Sequence, residues 1–595
     1  MPSHTRTLSA RPLPLAARVA GLVTCLVLGF AAPLRAQSFY PLRPDDARAV
    51  DFTKEAFGAA ADGAGDDADA LQQAINRVQG SGVVLIPEGR YRLGKTVYVP
   101  KGIRLIGYGT KRPVFVLGAS TPGFQEGERR YMVQFTDARV QPGQPVVDGS
   151  EFTFYSGMAN IDFELLDGNP AAIAVRFHVA QHSMLTHMDF KVGTARAAAE
   201  DIGNEASDIH VHGGEYGIIT KRTAPVWQFL LMDSTFDGQR VAGIRTMEAG
   251  FTLVRVSFAH MPVALQVSPG EVDQLYARDL RLENITDTAL AVGDWRNHHS
   301  EITLANISCS NVPRFTAGDN PVAAPGPHYV VEHLSLGLAI GPDGREQGVR
   351  FQHRERVLTQ PAPLPPSDIP ALPPMESWVN VRTLGVQGGA VDDTDALQKA
   401  VAEHPVLFFP AGTYHVRSSL KLRPDSVLIG LNPNSTQIGL IDGSADFAGE
   451  GEPVGVISAP RDGKNIIVSL GIGTGTRNPR AAGVLWRAGQ GSMLDDVSFP
   501  GGLGGLNAGG RGRGGPPGAP GAAPGVPARG AAAALVGGAS VARAGASSAG
   551  LRASTSCSNW LWLGTLSVPV PSVRWLAPVL KAWGLRRTIN MEVGL

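Results

Sequence analysis

Cysteine is almost absent from this chain of 595 residues, which has three. Cys25 lies in an apolar N-terminal run, leaving Cys309 and Cys557, too far apart for a disulfide framework or a CxxC metal pair. Stability outside a cell must then come from the core. Aromatics make up 7% and charged residues 18%; Lys plus Arg is 53 and Asp plus Glu is 53, so the net charge is zero. Without a strongly basic globular segment, a nucleic-acid partner is not expected. His178, His182 and His187 alternate as on a strand and match no compact metal-ligand spacing. No metal and no cofactor are expected.

One apolar run stands near the N-terminus, and no other long one precedes residue 500. "VAGLVTCLVLGF" (residues 19–30) follows Arg6, Arg11 and Arg18 and is short for a bilayer span. Residues 1–36 read as a signal peptide cleaved near Ala36. A secreted or periplasmic protein is expected, with no stable membrane insertion after cleavage.

What the chain has in quantity is glycine, 72, and proline, 44, the chemistry of turns between short strands. It also repeats itself. "DDADALQQAI" begins at Asp66 and "DDTDALQKAV" at Asp392. Each continues into matching strands, with Pro87, Gly89, Tyr91 and Gly107 answered by Pro410, Gly412, Tyr414 and Gly430. Asp67 or Asp69 is placed to cap a helix whose apolar side is Leu71, Ala74, Ile75 and Val78; Leu397, Ala400 and Val401 repeat that face.

Between the copies a coil-length rhythm ends strands at Phe163, Phe190, Val211, Phe236, Phe258, Leu282 and Leu304. "LRLENI" (280–285) and "ITLANI" (302–307) look superposable. Units that cannot bury both faces alone stack into a continuous core, as a parallel β-helix does. The expected fold is all-β: a right-handed parallel β-helix, pectin-lyase-like, in two tandem modules. The modules are set at residues 45–359 and 379–502, with a Pro-rich linker at 360–378 and the second module incomplete.

Beyond residue 502 the composition changes. Residues 501–550 hold 17 Gly and 14 Ala, and no Asp or Glu occurs from residue 497 to 591. Residues 503–595 read either as a genuine low-complexity, disordered tail or as the product of a shifted reading frame.

"DGAGDDADALQQAI" followed by "IPEGRYRL" resembles the opening motif of the pectate-lyase superfamily, also called the glycosyl hydrolase family 28-related domain. Two such modules in one chain resemble glycoside hydrolase family 55, exo-acting β-1,3-glucanases. The resemblance implies a polysaccharide partner, β-glucan or pectin-like. "VRFHVAQHSML" (175–185) matches a family 55 stretch and makes Gln181 a candidate for holding the attacking water or the sugar. Ser207 and Asp208 match a Ser-Asp pair, whereas the family's serine falls on Ile202. The general-acid glutamate belongs to later coils of the second helix than any recognisable here.

Glycoside hydrolysis needs carboxyl groups that stacked coils can bring together. The densest acidic stretch is "EDIGNEASD" (200–208), expected in a loop, with Asp201 and Glu205 as sugar-facing carboxylates. Asp208, Trp227 and Glu248 complete the candidate site as substrate contacts. A pectate-lyase-like activity would need clustered aspartates for Ca²⁺ and a basic partner. Asp162 and Asp189 stack on adjacent coils in this reading, with no Lys or Arg beside them. A non-catalytic carbohydrate-binding or cell-surface β-helix is the third alternative.

Overall fold

A computed structural model describes residues 38–222 and 229–500, and the backbone of Val541–Ala542. The expected signal segment, Trp227, and the tail apart from those two backbone residues lie outside the described residues. The chain winds as a right-handed parallel β-helix. One 26-stranded sheet makes the first stack, and strands from Val379–Asn380 onward make the second.

Inside the first stack one side-chain row runs from coil to coil. Register pairs Tyr91 with Phe115, Phe115 with Phe163, Phe163 with Phe190, Phe190 with Val211, Val211 with Phe236, Phe236 with Phe258, and Phe258 with Leu282. Neighbouring rings stack or meet edge-on at centroid distances of 5.1–6.3 Å, following the repeat of about 4.8 Å between coils. The spacing rhythm therefore reads the register as far as Leu282.

The last step differs. Leu282 pairs with Cys309, and Leu304 pairs with Ala277. "LRLENI" and "ITLANI" are thus offset, Leu280 meeting Ile307. The strand Gln274–Ala291 starts its pairing at Gln274 with Glu301, after a longer excursion through residues 292–300. Similar letters do not specify register when the loop between them changes length.

Two antiparallel strands close the far end of the first stack: His328–Ile340 pairs on Glu301–Ser310, and Glu346–Val357 pairs on His328–Ile340 in turn. They occupy a sheet edge that would otherwise present unpaired backbone groups. Cys309 ends the interior row beneath them as a buried free thiol.

Both acidic motifs start ten-residue helices, Ala68–Arg77 and Thr394–Glu403, with the expected apolar residues buried. Their aspartates work differently from simple caps. Asp67 and Asp393 make no side-chain bond to their own helix. The Asp67 carboxylate accepts the N–H groups of Ala60 and Ala61 at 2.6 and 3.2 Å. Asp393 accepts those of Gln387 and Gly388, both at 2.7 Å. Asp66 and Asp392 take the first helical N–H instead, from Ala68 at 3.1 Å and Thr394 at 3.0 Å. One acid of each pair starts the helix, and its neighbour, 1–2% exposed, ties down the turn before it.

The stacks lie side by side. Val83, Leu85 and Ile106 pack against Val406, Phe408, Val427, Ile429 and Met493. Arg104 crosses this face: Nη1 reaches the Leu431 carbonyl oxygen at 3.0 Å and Asp496 Oδ2 at 2.6 Å. Its Nη2 donates to the His182 carbonyl oxygen at 2.9 Å. Residues 360–374 form no regular element and run back along the first stack. They are pinned where Ser308 Oγ donates to the Ala362 carbonyl oxygen at 3.2 Å and where Arg255 meets Asp368 at 2.8 Å.

Candidate functional site

A bend falls at the same place on seven successive coils of the first stack. Register aligns Ala159, Thr186, Ser207, Met232, Val254, Arg278 and Ala305 across successive coils. The next residue on each coil is Asn160, His187, Asp208, Asp233, Arg255, Asp279 and Asn306, all with φ between 50° and 59°. Left-handed backbone costs about 1–2 kcal/mol for most L-residues and least for Asn, Asp and their kind. The bend thus selects a continuous row of polar side chains, and adjacent rungs bond to one another. His187 Nδ1 stands 2.7 Å from Asp208 Oδ2, Arg255 Nε 2.5 Å from Asp233 Oδ1, and Asn306 Nδ2 2.6 Å from Asp279 Oδ1.

Two residues past the bend a second outward row begins: Asp162, Asp189, His210 and Thr235. Arg112 lies against its start, 6% exposed. Its Nε is 3.2 Å from Asp162 Oδ1 and its Nη2 is 3.1 Å from Asp189 Oδ1. Burial pushes the Asp162 carboxyl up to about 6; the Asp189 charge adds to the rise and Arg112 opposes it. Asp208 goes the other way. Burial alone would raise it, but hydrogen bonds with His187 and His210 outweigh burial and hold it well below the usual carboxylate range. His210 Nε2 is 3.1 Å from Asp208 Oδ1. Burial disfavours the His210 cation, yet the Asp208 hydrogen bond raises its proton affinity on balance. One partly exposed patch therefore carries a carboxyl biased toward its acid form and another fixed as an anion, the separation that acid/base chemistry needs.

Asp162 and Asp189 read in sequence as a stack without a cation beside it. The structure supplies one, Arg112, from the turn before strand Val114–Leu117. Nothing in the local sequence "GTKRPVF" marks it, because its partners come from later coils.

The other expected site residues are dispersed. The stretch 200–208 is a loop only over 201–204, which holds Asp201; Glu200 ends strand Ala197–Glu200, and Glu205 and Asp208 belong to Glu205–Gly213. Asp201 is 2% exposed and committed to Arg176 at 2.8 Å. It belongs to a separate cluster in which Arg176 also grips Asp148 through Nε and Nη2 at 2.8 and 2.6 Å. Glu205 is half-buried on the outward row of Arg104, Gly157 and Met184. Gln181 sits in a turn beside His182, its side-chain oxygen buried without a hydrogen-bond partner among the described residues. Glu248 is paired with Arg222 at 3.2 Å. Asp208 alone of these lines the crevice between the stacks, about 300 Å³, with Phe39, Tyr40, His187, Ser207 and Asp495. Among the described residues no group of three or more His, Cys, Asp or Glu is arranged to hold a metal ion.

Parallel coils, a closed interior row and polar residues set at a repeated bend define a pectate-lyase-like β-helix. Within that class the chain belongs to the family described as rhamnogalacturonase A/epimerase, pectate lyase-like, whose profile matches residues 54–291 and 378–499. Among curated proteins it is similar to a glucan 1,3-beta-glucosidase of Cochliobolus carbonum, 22% identical over 461 residues, 69% of this chain and 55% of that protein. It is also similar to the non-secreted LysM effector LysM19 of Penicillium expansum, 22% identical over 427 residues, covering 63% of this chain and 32% of the other. The chain thus spans about half and about a third of the length of these relatives. Among solved structures, sacteLam55A from Streptomyces sp. SirexAA-E matches at 12% identity and TM-score 0.35, over 76% of this chain and 64% of that one. The A-module of the mannuronan C-5 epimerase AlgE4 of Azotobacter vinelandii matches at 10% identity and TM-score 0.27, over 76% and 95%.

Proposed function

We propose that the protein acts on a polysaccharide as a glycoside hydrolase, with a β-1,3-glucan as its substrate, at the patch around Asp162. The observation that carries this reading is the Asp162 carboxyl, raised to about 6 beside a carboxylate one coil away. A group with that affinity keeps its proton long enough to donate it to a departing glycosidic oxygen. Asp189 serves as the second carboxylate, with the Arg112 guanidinium 3.1 Å from its Oδ1. Asp208, fixed as an anion, accepts a hydrogen bond from a sugar hydroxyl or a water. The relative from Cochliobolus carbonum supports glucan as the first substrate to try. Export of the chain, cleaved near Ala36, belongs to the same reading.

A Ca²⁺-dependent lyase is less well supported. The cation between Asp162 and Asp189 is a guanidinium, filling the place where Ca²⁺ would gather those oxygens. Incubation with laminarin and with polygalacturonate, each with and without chelator, tests the reading. Glucose or short β-glucans from laminarin, lost in Asp162→Asn, is the expected result. Chelator-sensitive unsaturated products from polygalacturonate would replace it with the lyase, and binding without turnover with a carbohydrate-binding protein.

A further inference from the structure

The segment ahead of the first strand lies between the stacks and touches both. Asn160, fully buried at φ 59°, spends its whole amide on holding this segment and its own bend. Its Nδ2 donates to Ser38 Oγ at 3.0 Å and to the Gly107 carbonyl oxygen at 2.8 Å, and its Oδ1 accepts from the Phe39 N–H at 2.8 Å. The Gly109 N–H donates to the Tyr40 carbonyl oxygen at 2.9 Å. On the other side, Asn380 Nδ2 reaches Asp45 Oδ2 at 2.7 Å, and the Ala411 N–H donates to Asp46 Oδ2 at 2.9 Å.

Held this way, the Phe39 ring lies flat on the His187 imidazole, centroids 3.9 Å apart and planes 12° from parallel. His187 is the rung after Asn160 on the left-handed row, and Asp208 is the rung after His187. An imidazole on an open bend has rotamers to choose from. One clamped between an aromatic face and a carboxylate has lost that choice, and the aromatic face favours its cation. The titratable groups around the crevice that His187 lines are Asp208, Asp233 and Tyr40 on or above the first stack, Arg104 in its wall, and Asp495 from the second stack. Beyond Asp208 stands His210.

We propose that Phe39 is a positioning residue, which fixes Asp208 through His187 and so ties the site to the docking of the N-terminal segment. The proposal rests on Asp208 being part of the working site. It makes Asn160, which touches none of the proposed reacting groups, a determinant of the site's geometry.

The test is an NMR titration of the full chain labelled in its histidine rings, with the His187 signal assigned by its loss in His187→Gln. Phe39→Ala is expected to lower the His187 midpoint by about 0.5 unit, the size of one lost cation–π contact. Phe39→Trp restores it. Asn160→Ala, which keeps the ring but frees the segment, lowers it as Phe39→Ala does. A midpoint unchanged in Phe39→Ala, in a protein with wild-type melting, overturns the proposal. Laminarin assays on the same proteins separate the two readings. If Phe39→Ala shifts the midpoint and lowers kcat about tenfold with KM within about twofold, both stand. A shifted midpoint with no laminarin turnover even in the wild type leaves the positioning in place and removes the hydrolase reading.

Discussion

Asp162 and Asp208 sit two coils apart, and their surroundings drive their carboxyls in opposite directions. The folded Asp162 value lies above the unfolded one, so the folded chain holds that proton more tightly between about pH 4 and about pH 6. Stability falls as pH rises through that window, by at most about 3 kcal/mol, less what solvent screens at a side chain 22% exposed. Asp162→Asn should therefore melt higher than wild type above about pH 6 while hydrolysis drops about 10²–10⁴-fold. Scanning calorimetry and sugar release across pH check both; a variant that melts lower at neutral pH contradicts the buried-acid assignment. Asp208 has the reverse sign. Its folded value is depressed, so its stabilisation is present above about pH 4 and is lost as pH falls below that. Asp208→Asn should flatten the acid limb of the stability curve. At this scale the sequence showed which acids exist but not their partners. Asp162 and Asp189 were legible as stacked carboxylates, whereas Arg112 was not, because side-chain pairing across coils depends on register and on how an intervening turn points.

Among the elements, the opening unit was the most legible, since its helix face, strands and turn all carry short-range patterns. What pattern could not reveal was the division of labour between neighbouring aspartates. Asp67 is buried and accepts two backbone N–H groups, and burial raises its carboxyl even against those bonds. Asp69 pairs on the surface with Lys95 at 2.7 Å, its side chain 75% exposed. Asp67→Ala should cost about 2–3 kcal/mol and Asp69→Ala less than about 0.5 kcal/mol, read from denaturant unfolding. Equal effects would mean that the acids act only through the helix dipole. The interior row makes a parallel case. Phe163→Ala empties a fully packed rung and should cost about 3–5 kcal/mol. The coil rhythm read that row correctly until Gln274–Ala291, where a longer excursion moved the register, and excursion length leaves no periodic trace.

At the scale of the whole molecule, the repeated acidic motifs gave no sign that the strands from Val379–Asn380 onward lie flank to flank with the first sheet. That arrangement depends on outward-facing apolar residues such as Val83, Val406 and Val427, which in sequence look like ordinary strand positions. Arg104 and Asp496 join the flanks with side chains only 3% and 6% exposed. Burial pushes the Asp496 carboxyl up, but Arg104 and His182 bring it below its ordinary value. Arg104→Met strands that carboxylate and should cost about 3–5 kcal/mol, whereas Arg104→Met with Asp496→Leu should recover most of it. Hydrogen exchange across residues 466–497 distinguishes a loosened second stack from global unfolding. The same pair has a consequence in time. Arg104 and Asp496 are 392 residues apart, and a ribosome adding about 5–20 residues per second needs roughly 20–80 s to go from one to the other. Through that interval the first coils carry a cation whose partner does not yet exist. Early in its life the growing chain presents an apolar flank carrying the uncovered Arg104 guanidinium, and any acidic bystander that reaches it first competes with Asp496.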